Sequence, residues 1–245
     1  MEDITCCNGE TAVLSVIRHG EEISLSLDPV LGEDGRYKLG IWVRDNTQGI
    51  GTLTYMREDG TFGALGHGIS DVDTGELLHI QGGALYQTEI LGIQKGSKGS
   101  PGELSGIIRY SQSNCLGEIT KNCSNGIYGK IGSEERNRFT WTRMPVGYKQ
   151  DMKVGKAQIL FKLDGQLDFY DVEITKIDMD HEDTNKSFVI QVTDPRLLSA
   201  TGGIVQGMSG SPVIQEGKIV GAVTHVFVQD SASGYGIFIE TMLEQ

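Results

Sequence analysis

Alternation with a period of two constrains this chain more than any other feature. Ile23, Leu25 and Leu27 alternate with Ser24, Ser26 and Asp28. Leu39, Ile41 and Val43 alternate with Gly40, Trp42 and Arg44, and Phe139 and Trp141 sit between Arg138, Thr140 and Thr142. In an extended chain successive side chains point to opposite faces, so such runs present one face to a core and one to water. Longer runs rich in Val, Ile, Phe and Tyr follow at 157–163, 167–177, 187–193, 218–227 and 235–239. Turn formers punctuate them: Glu33-Asp34-Gly35, Glu58-Asp59-Gly60, Asp164-Gly165 and Glu216-Gly217. Many short strands with frequent turns predict an all-β barrel or sandwich. Helix is expected only as a short turn over 194–200 and another at the C-terminus.

Glycine supports the same class. It supplies 34 of the 245 residues, about twice the usual share of roughly 7%. Glycine inside a helix costs about 0.5–1 kcal/mol against alanine, whereas tight turns between strands use it freely. The formal net charge of −12 argues against binding nucleic acid by phosphate neutralisation. No window approaches the length of apolar chain that a membrane-spanning helix needs. The opening residues MEDITCCNGE lack the basic and apolar regions of a signal peptide; a chain that begins inside a longer protein would have left one behind.

Two parts are expected. Over 12–29, Val13, Val16 and Ile17 face Ile23, Leu25 and Leu27 as a hairpin turned at His19-Gly20-Glu21. An isolated hairpin is marginal, and the link 31–35 separates it from the remainder of the chain. Cys6, Cys7, Cys115 and Cys123 contain no CxxC pair, so a structural zinc site has little support. Cys115 and Cys123 either close a hairpin disulfide or remain thiols. The stretch Asp71-Val72-Asp73-Thr74-Gly75-Glu76 lacks the third acid and closing glutamate of a calcium loop. Neither a metal nor a cofactor is expected.

The sharpest chemical signal is Gly207-Met208-Ser209-Gly210-Ser211-Pro212. A serine framed by glycines before a strand suits an exposed nucleophile. The same turn would aim the Gly207 and Ser209 N–H groups at one point, an oxyanion hole. A plain glycine-rich hairpin is the competing reading.

A serine nucleophile needs a base. Of five histidines, His67 lies between Gly66 and Gly68 after a predicted strand, a poor place for a packing residue. His19 falls in a turn, His181 in an acidic loop, and His79 reads as structural. His225 ends the strand after the serine turn and either lines a pocket or sits at a solvated edge. For the orienting acid, Asp194 ends an apolar strand 15 residues before Ser209. It also reads as the N-cap of a helix with Pro195 at the first position. Asp71, four residues after His67, is the alternative.

Several segments in order resemble the SpoIVB peptidase family, serine peptidases of stage IV of bacterial endospore formation. They are IWVRD at 41–45, GIGTLT at 49–54, FGALGHGISD at 62–71, GIYGKI at 126–131, TGGIVQGMSGSP at 201–212 and GAVTHVFV at 221–228. The resemblance covers about residues 36–243. It implies His67 as base, Ser209 as nucleophile and Asp194 as the acidic member. It also implies a chymotrypsin-like double β-barrel, with the site in the cleft between the barrels and Thr224 and His225 lining the primary specificity pocket. Chymotrypsin-like enzymes usually place the aspartate well between the other two members, a departure here.

Full-length family members carry a membrane anchor and a PDZ domain before the peptidase. The resemblance therefore implies that residues 1–35 are the end of a PDZ domain and its linker, and 36–245 the serine peptidase domain. It further implies secretion into the space between mother cell and forespore. There the peptidase would cleave itself and a regulatory subunit of a membrane-embedded protease complex, triggering processing of the late mother-cell sigma factor precursor. A PDZ-linked binding or checkpoint module with latent or lost catalysis is the rival class, and a small esterase a third. Labelling by a serine-directed fluorophosphonate separates the first two.

Overall fold

The structure, a computed structural model, describes residues 9–18, 20–41 and 47–245. Cys6, Cys7, His19 and residues 42–45 of the IWVRD segment lie outside them. Two compact units divide at Gln48/Gly49. In the first, β1 (Ala12–Arg18) pairs antiparallel with β2 (Glu21–Leu27), and β3 (Val30–Leu31) with β4 (Tyr37–Lys38). The hairpin forms where expected, but its inward face differs. Val16 opposes Ile23 and Leu14 opposes Leu25, while Val13 and Ile17 are 68% and 81% exposed. Strict alternation decides this, because Val13 and Ile17 share a face with Ser15 rather than with Leu14 and Val16.

The second unit is built from fourteen strands among its described residues. First come β5 (Leu53–Met56), β6 (Thr61–Ala64), β7 (Gly83–Tyr86), β8 (Thr88–Gln94), β9 (Gly102–Ile108), β10 (Cys115–Cys123) and β11 (Gly126–Ile131). Then follow β12 (Gly155–Leu163), β13 (Gln166–Ile177), β14 (Phe188–Val192), β15 (Val205–Gln206), β16 (Pro212–Gln215), β17 (Lys218–Phe227) and β18 (Asp230–Phe238). Helix is limited to α1 (Ser133–Arg136), α2 (Pro195–Thr201) and α3 (Ile239–Leu243), apart from short 3₁₀ turns. Among the described residues no helix is long and apolar enough to cross a membrane.

The later strands close a barrel in the order β12-β13-β14-β18-β17-β16. Inward positions of its strands, among them Ile159, Ile174, Ile190, Val213 and Val223, are fully or almost fully buried. The earlier strands form an open five-stranded sheet, β5-β6-β11-β10-β7, while β15-β9-β8 form a separate three-stranded sheet. The all-β expectation and one six-stranded barrel are thus present. In place of a second closed barrel, the described residues show these two open sheets.

One smaller expectation is corrected, and one open alternative is decided. Phe139 and Trp141 lie in irregular chain after α1, where their rings meet edge to face at 5.9 Å and the Trp141 indole N–H donates to Arg136 O at 2.7 Å. Their alternation reflects a local aromatic contact, not a strand. Cys115 and Cys123 open and close the same strand, β10. At about 3.3 Å per residue they are far beyond disulfide reach, and both are free thiols.

Candidate active site

The serine turn is built by the barrel. Gly207 and Gly210 have φ of 100° and 92°, left-handed values that glycine adopts without strain. Between them Met208 is fully buried in the barrel core and anchors the turn, which leaves Ser209 half-buried. Met208 N–H donates to Val205 O at 3.1 Å and Gly210 N–H to Val223 O at 2.8 Å. Those bonds use the alternate amides of the turn and leave the Gly207 and Ser209 N–H groups outside them. The Ser209 hydroxyl donates to Thr224 O at 2.7 Å, and not to a histidine.

The histidine is delivered by the open sheet. After β6 the chain turns through Leu65 and Gly66, with φ of 68° and 70°. A Cβ at Gly66 would lie 2.9 Å from Thr224 Cγ2 and 2.9 Å from Ile237 Cγ2. The missing side chain is therefore what allows the sheet backbone to reach β17 and β18. His67 follows, half-buried, with Nδ1 2.9 Å from Gly68 O. A proton on Nδ1 donated to that carbonyl leaves Nε2 with its lone pair, the tautomer a general base needs.

The two halves are joined by Thr52. Its N–H donates to Ser209 O at 2.9 Å, and its carbonyl accepts from Leu65 N–H at 3.2 Å. Its hydroxyl donates to Gly207 O at 3.0 Å, and the buried Thr54 hydroxyl donates to Gly210 O at 2.8 Å. Gly210 packs so closely on this clip that a Cβ there would lie 2.1 Å from Thr52 O and 2.6 Å from Leu65 N. Neither threonine stands out in the sequence, where their alternation in GIGTLT reads equally well as an ordinary strand.

His225 meets His67. Their ring centroids are 4.8 Å apart with a 34° tilt. Around His225 the ladder slips: Val223 pairs with Gly236 and Val226 with Gly234. That is three steps on β17 against two on β18, a β-bulge, which re-aims side chains at such sites. Burial, then the neighbouring His67 and Lys186, lower the His225 pKa to about 4, with Asp183 opposing. Thr224, which the resemblance places along the primary specificity pocket, precedes His225 on β17. It is 2% exposed, its hydroxyl donates to Asn185 O at 2.6 Å, and its contribution to the site is its carbonyl.

Asp194 is a helix cap in this structure and makes no hydrogen bond to His67. It is the N-cap of α2, with Pro195 at the first helical position. One oxygen accepts from Arg196 N–H at 2.8 Å, and the other lies 2.9 Å from the Arg196 guanidinium. Asp171 N–H adds a longer bond of 3.3 Å. These bonds, the Arg196 side chain foremost, lower its pKa to about 2. The physical reason for the correction is topological. Asn185, bonded to Thr224, precedes β14, and Asp194 follows it, so a strand's length separates the carboxylate from the serine turn. Asp71, the alternative acid, accepts from Asp73 N–H and Thr74 N–H at 2.9 and 3.0 Å and shapes its own turn. Among the described residues no cluster of three or more His, Cys, Asp or Glu is placed to hold a metal ion.

A family model described as SpoIVB peptidase S55 matches residues 35–243. No curated protein matches the chain. Among solved structures, the HtrA-type protease AlgW with a decapeptide is 12% identical, with a TM-score of 0.43. That match covers 96% of this chain and 60% of the AlgW chain, so the chain spans less than two thirds of that relative's length. Rv3671c from M. tuberculosis, in an inactive serine-to-alanine form, is 11% identical with a TM-score of 0.35, over 62% of this chain and 85% of its own. A mutant of human heparin binding protein is 13% identical with a TM-score of 0.32, over 78% and 79%. The family match spans Thr52, His67, Ser209 and His225 alike, and by it the chain belongs to the SpoIVB peptidase S55 family, a family of serine peptidases.

Proposed function

We propose that this chain is a serine endopeptidase in which Ser209 is the nucleophile and His67 the general base. One observation carries the reading. Residues 142 positions apart in sequence converge on two consecutive residues of β17: Ser209 on the Thr224 carbonyl and His67 on the His225 ring.

In the proposed mechanism the Ser209 hydroxyl leaves Thr224 O as substrate enters. His67 Nε2 takes its proton while Oγ forms a bond to the scissile carbonyl carbon. The Gly207 and Ser209 N–H groups hold the resulting oxyanion. The proton then passes from His67 to the leaving amine, the C–N bond breaks, and an acyl-enzyme remains. Water, deprotonated by His67, releases the acid and restores Ser209. The Gly68 carbonyl holds the tautomer, a task usually given to a carboxylate. The substrate side chain before the scissile bond would lie along β17 beside His225. No metal or cofactor enters the scheme.

The finer reading follows from family membership. The substrates would be the chain itself and a regulatory subunit of a membrane-embedded protease complex, in the space between mother cell and forespore. Residues 1–35 would end a PDZ domain preceding the peptidase. A second reading, a checkpoint module with latent catalysis, is favoured by the Ser209–Thr224 bond, in which the hydroxyl proton goes to a backbone carbonyl instead of a histidine. A fluorophosphonate probe tests both. Labelling that disappears in Ser209→Ala and in His67→Ala supports the active enzyme. A wild-type protein that resists labelling, alone and with a PDZ-containing longer form, would overturn it.

A further inference from the structure

We propose that His225 is a positioning residue for His67: an uncharged imidazole whose ring fixes the plane of the base's ring. This rests on the reading of His67 as the base of Ser209.

The backbone makes the meeting of the two rings obligatory. A Cβ at Gly66 would lie 2.9 Å from the Thr224 methyl, so the two segments run close together there, and His67 and His225 are each the next residue in chain. The turn after β6 and the strand β17 thus approach one another one residue before each ring. The bulge at Thr224–His225 then supplies the turn of β17 that aims His225 at its partner. On the other strand of this bulge a Cβ at Gly234 would lie 2.5 Å from His225 O, so glycine is needed there to admit the kink.

The chemistry of the pair is asymmetric. His67 Nδ1 has Gly68 O, whereas His225 Nδ1 is buried and has no hydrogen-bond partner. A buried polar atom without a partner is destabilising, and a protonated one would be more so. His67 lies against the His225 ring, and the other charged groups that act on it are Lys186 and Asp183. Lys186 and Asp183 pair with each other at 2.7 Å, so the carboxylate that would favour a charged His225 is already engaged. With a pKa lowered to about 4, His225 stays neutral near pH 7.

A neutral aromatic neighbour serves catalysis in a way a charged one cannot. During acylation His67 becomes an imidazolium. A neutral ring accepts a cation near its face, whereas a second imidazolium would repel it. The carbonyl of the adjacent Gly68 settles which nitrogen carries the proton. The neighbouring tilted ring limits how far the base can swing away from Ser209. Together they divide the work that one aspartate does in a Ser–His–Asp site.

The test follows the rate at which a small fluorophosphonate labels Ser209, beside kcat and KM on peptides that differ before the scissile bond. His225→Ala should slow labelling and lower kcat by about 10–100-fold, the scale of a misaligned reacting group, with KM little changed. His225→Phe restores a ring of similar size and should recover most of the loss. His225→Leu fills the space without a ring and should resemble alanine, which keeps the test valid if the alanine variant unfolds. Unchanged labelling in His225→Ala and His225→Leu would overturn the proposal. So would KM shifts that track the peptide side chain at constant labelling rate, which would make His225 a pocket wall. A wild-type protein that is not labelled at all would instead remove the serine-peptidase reading on which the proposal stands.

Discussion

In the barrel region, twenty described side chains from Leu104 to Phe238 form one continuous buried core. Under the five-stranded sheet the corresponding buried cluster is Phe62, Ala64, Ile127 and Ile131. The nucleophile stands on the first body, one residue after fully buried Met208. The base stands on the second, one residue after a glycine whose missing side chain permits contact. Stability rises with apolar area buried, so the two halves of one reaction centre rest on foundations of unequal strength. Alignment of Ser209 with His67 therefore depends less on either body than on the seam between them: Thr52, Thr54, Gly66 and Gly210.

The largest expected effects ignore the difference. Ser209→Ala and His67→Ala should each lower kcat/KM by about 10⁴-fold or more, as in other serine peptidases where one member is removed. Both residues are half-buried and outside the three core clusters, so the melting temperature should barely move. Unequal losses, with His67→Ala much milder, would mean that the open sheet does not carry the base.

Next come paired core truncations that expose the inequality. Phe188 is 1% exposed in the barrel and Phe62 is 1% exposed in the sheet. Phenylalanine-to-alanine changes at such sites cost about 3–5 kcal/mol. Phe188→Ala should lower the cooperative unfolding transition as a whole. Phe62→Ala should accelerate amide exchange in β5, β6 and β11 and abolish activity while β12–β18 stay protected. Equal exchange in both regions would show a single cooperative unit and end the comparison.

Parts of this arrangement could be read in the sequence, and others not, for identifiable reasons. The serine turn was legible because left-handed backbone selects glycine, and Gly207 and Gly210 flank one hydroxyl. The barrel strands were legible because both their faces obey a simple pattern over long runs. The open sheets were not, since ring closure depends on register and strand length rather than on alternation. Thr52 escaped notice because its role lies in backbone groups that every residue possesses. Asp194 was ambiguous for a chemical reason: an aspartate before proline is a good cap and a good triad member, and its spacing from Ser209 cannot tell on which end of β14 the catalytic centre lies.

The seam itself is tested by Gly210→Ala. A Cβ there would stand 2.1 Å from Thr52 O, and φ is 92°. Thr52 must move, and with it the bonds to Leu65 and Ser209. A displacement of about 1 Å between reacting groups costs on the order of 10²-fold in rate. Crystallography or exchange at Leu65 would show whether the sheet has shifted while the barrel core is intact. Thr52→Val is the milder version. It keeps the backbone bonds, loses the hydroxyl bond to Gly207 O, and should cost about 1 kcal/mol.

The smallest effect is expected at Asp194, and it bears on which body completes the site. Asparagine caps helices about as well as aspartate, whereas alanine costs about 0.5–2 kcal/mol. Asp194→Asn should therefore leave kcat/KM within about tenfold, with Asp194→Ala less stable. A carboxylate that oriented His67 would behave otherwise, since the asparagine change in such a triad lowers kcat about 10⁴-fold. The pH dependence gives an independent sign. The folded-state pKa is lowered from 3.8 to about 2, so the stability contributed by this carboxylate is fully present above pH 3.8. It is lost progressively as pH falls toward 2, because the unfolded chain takes up the proton first. In Asp194→Asn that decline is absent, while the dependence of activity on pH is unchanged. A shift of that activity profile in Asp194→Asn would place the carboxylate back beside the base and make the barrel, not the sheet, responsible for holding it.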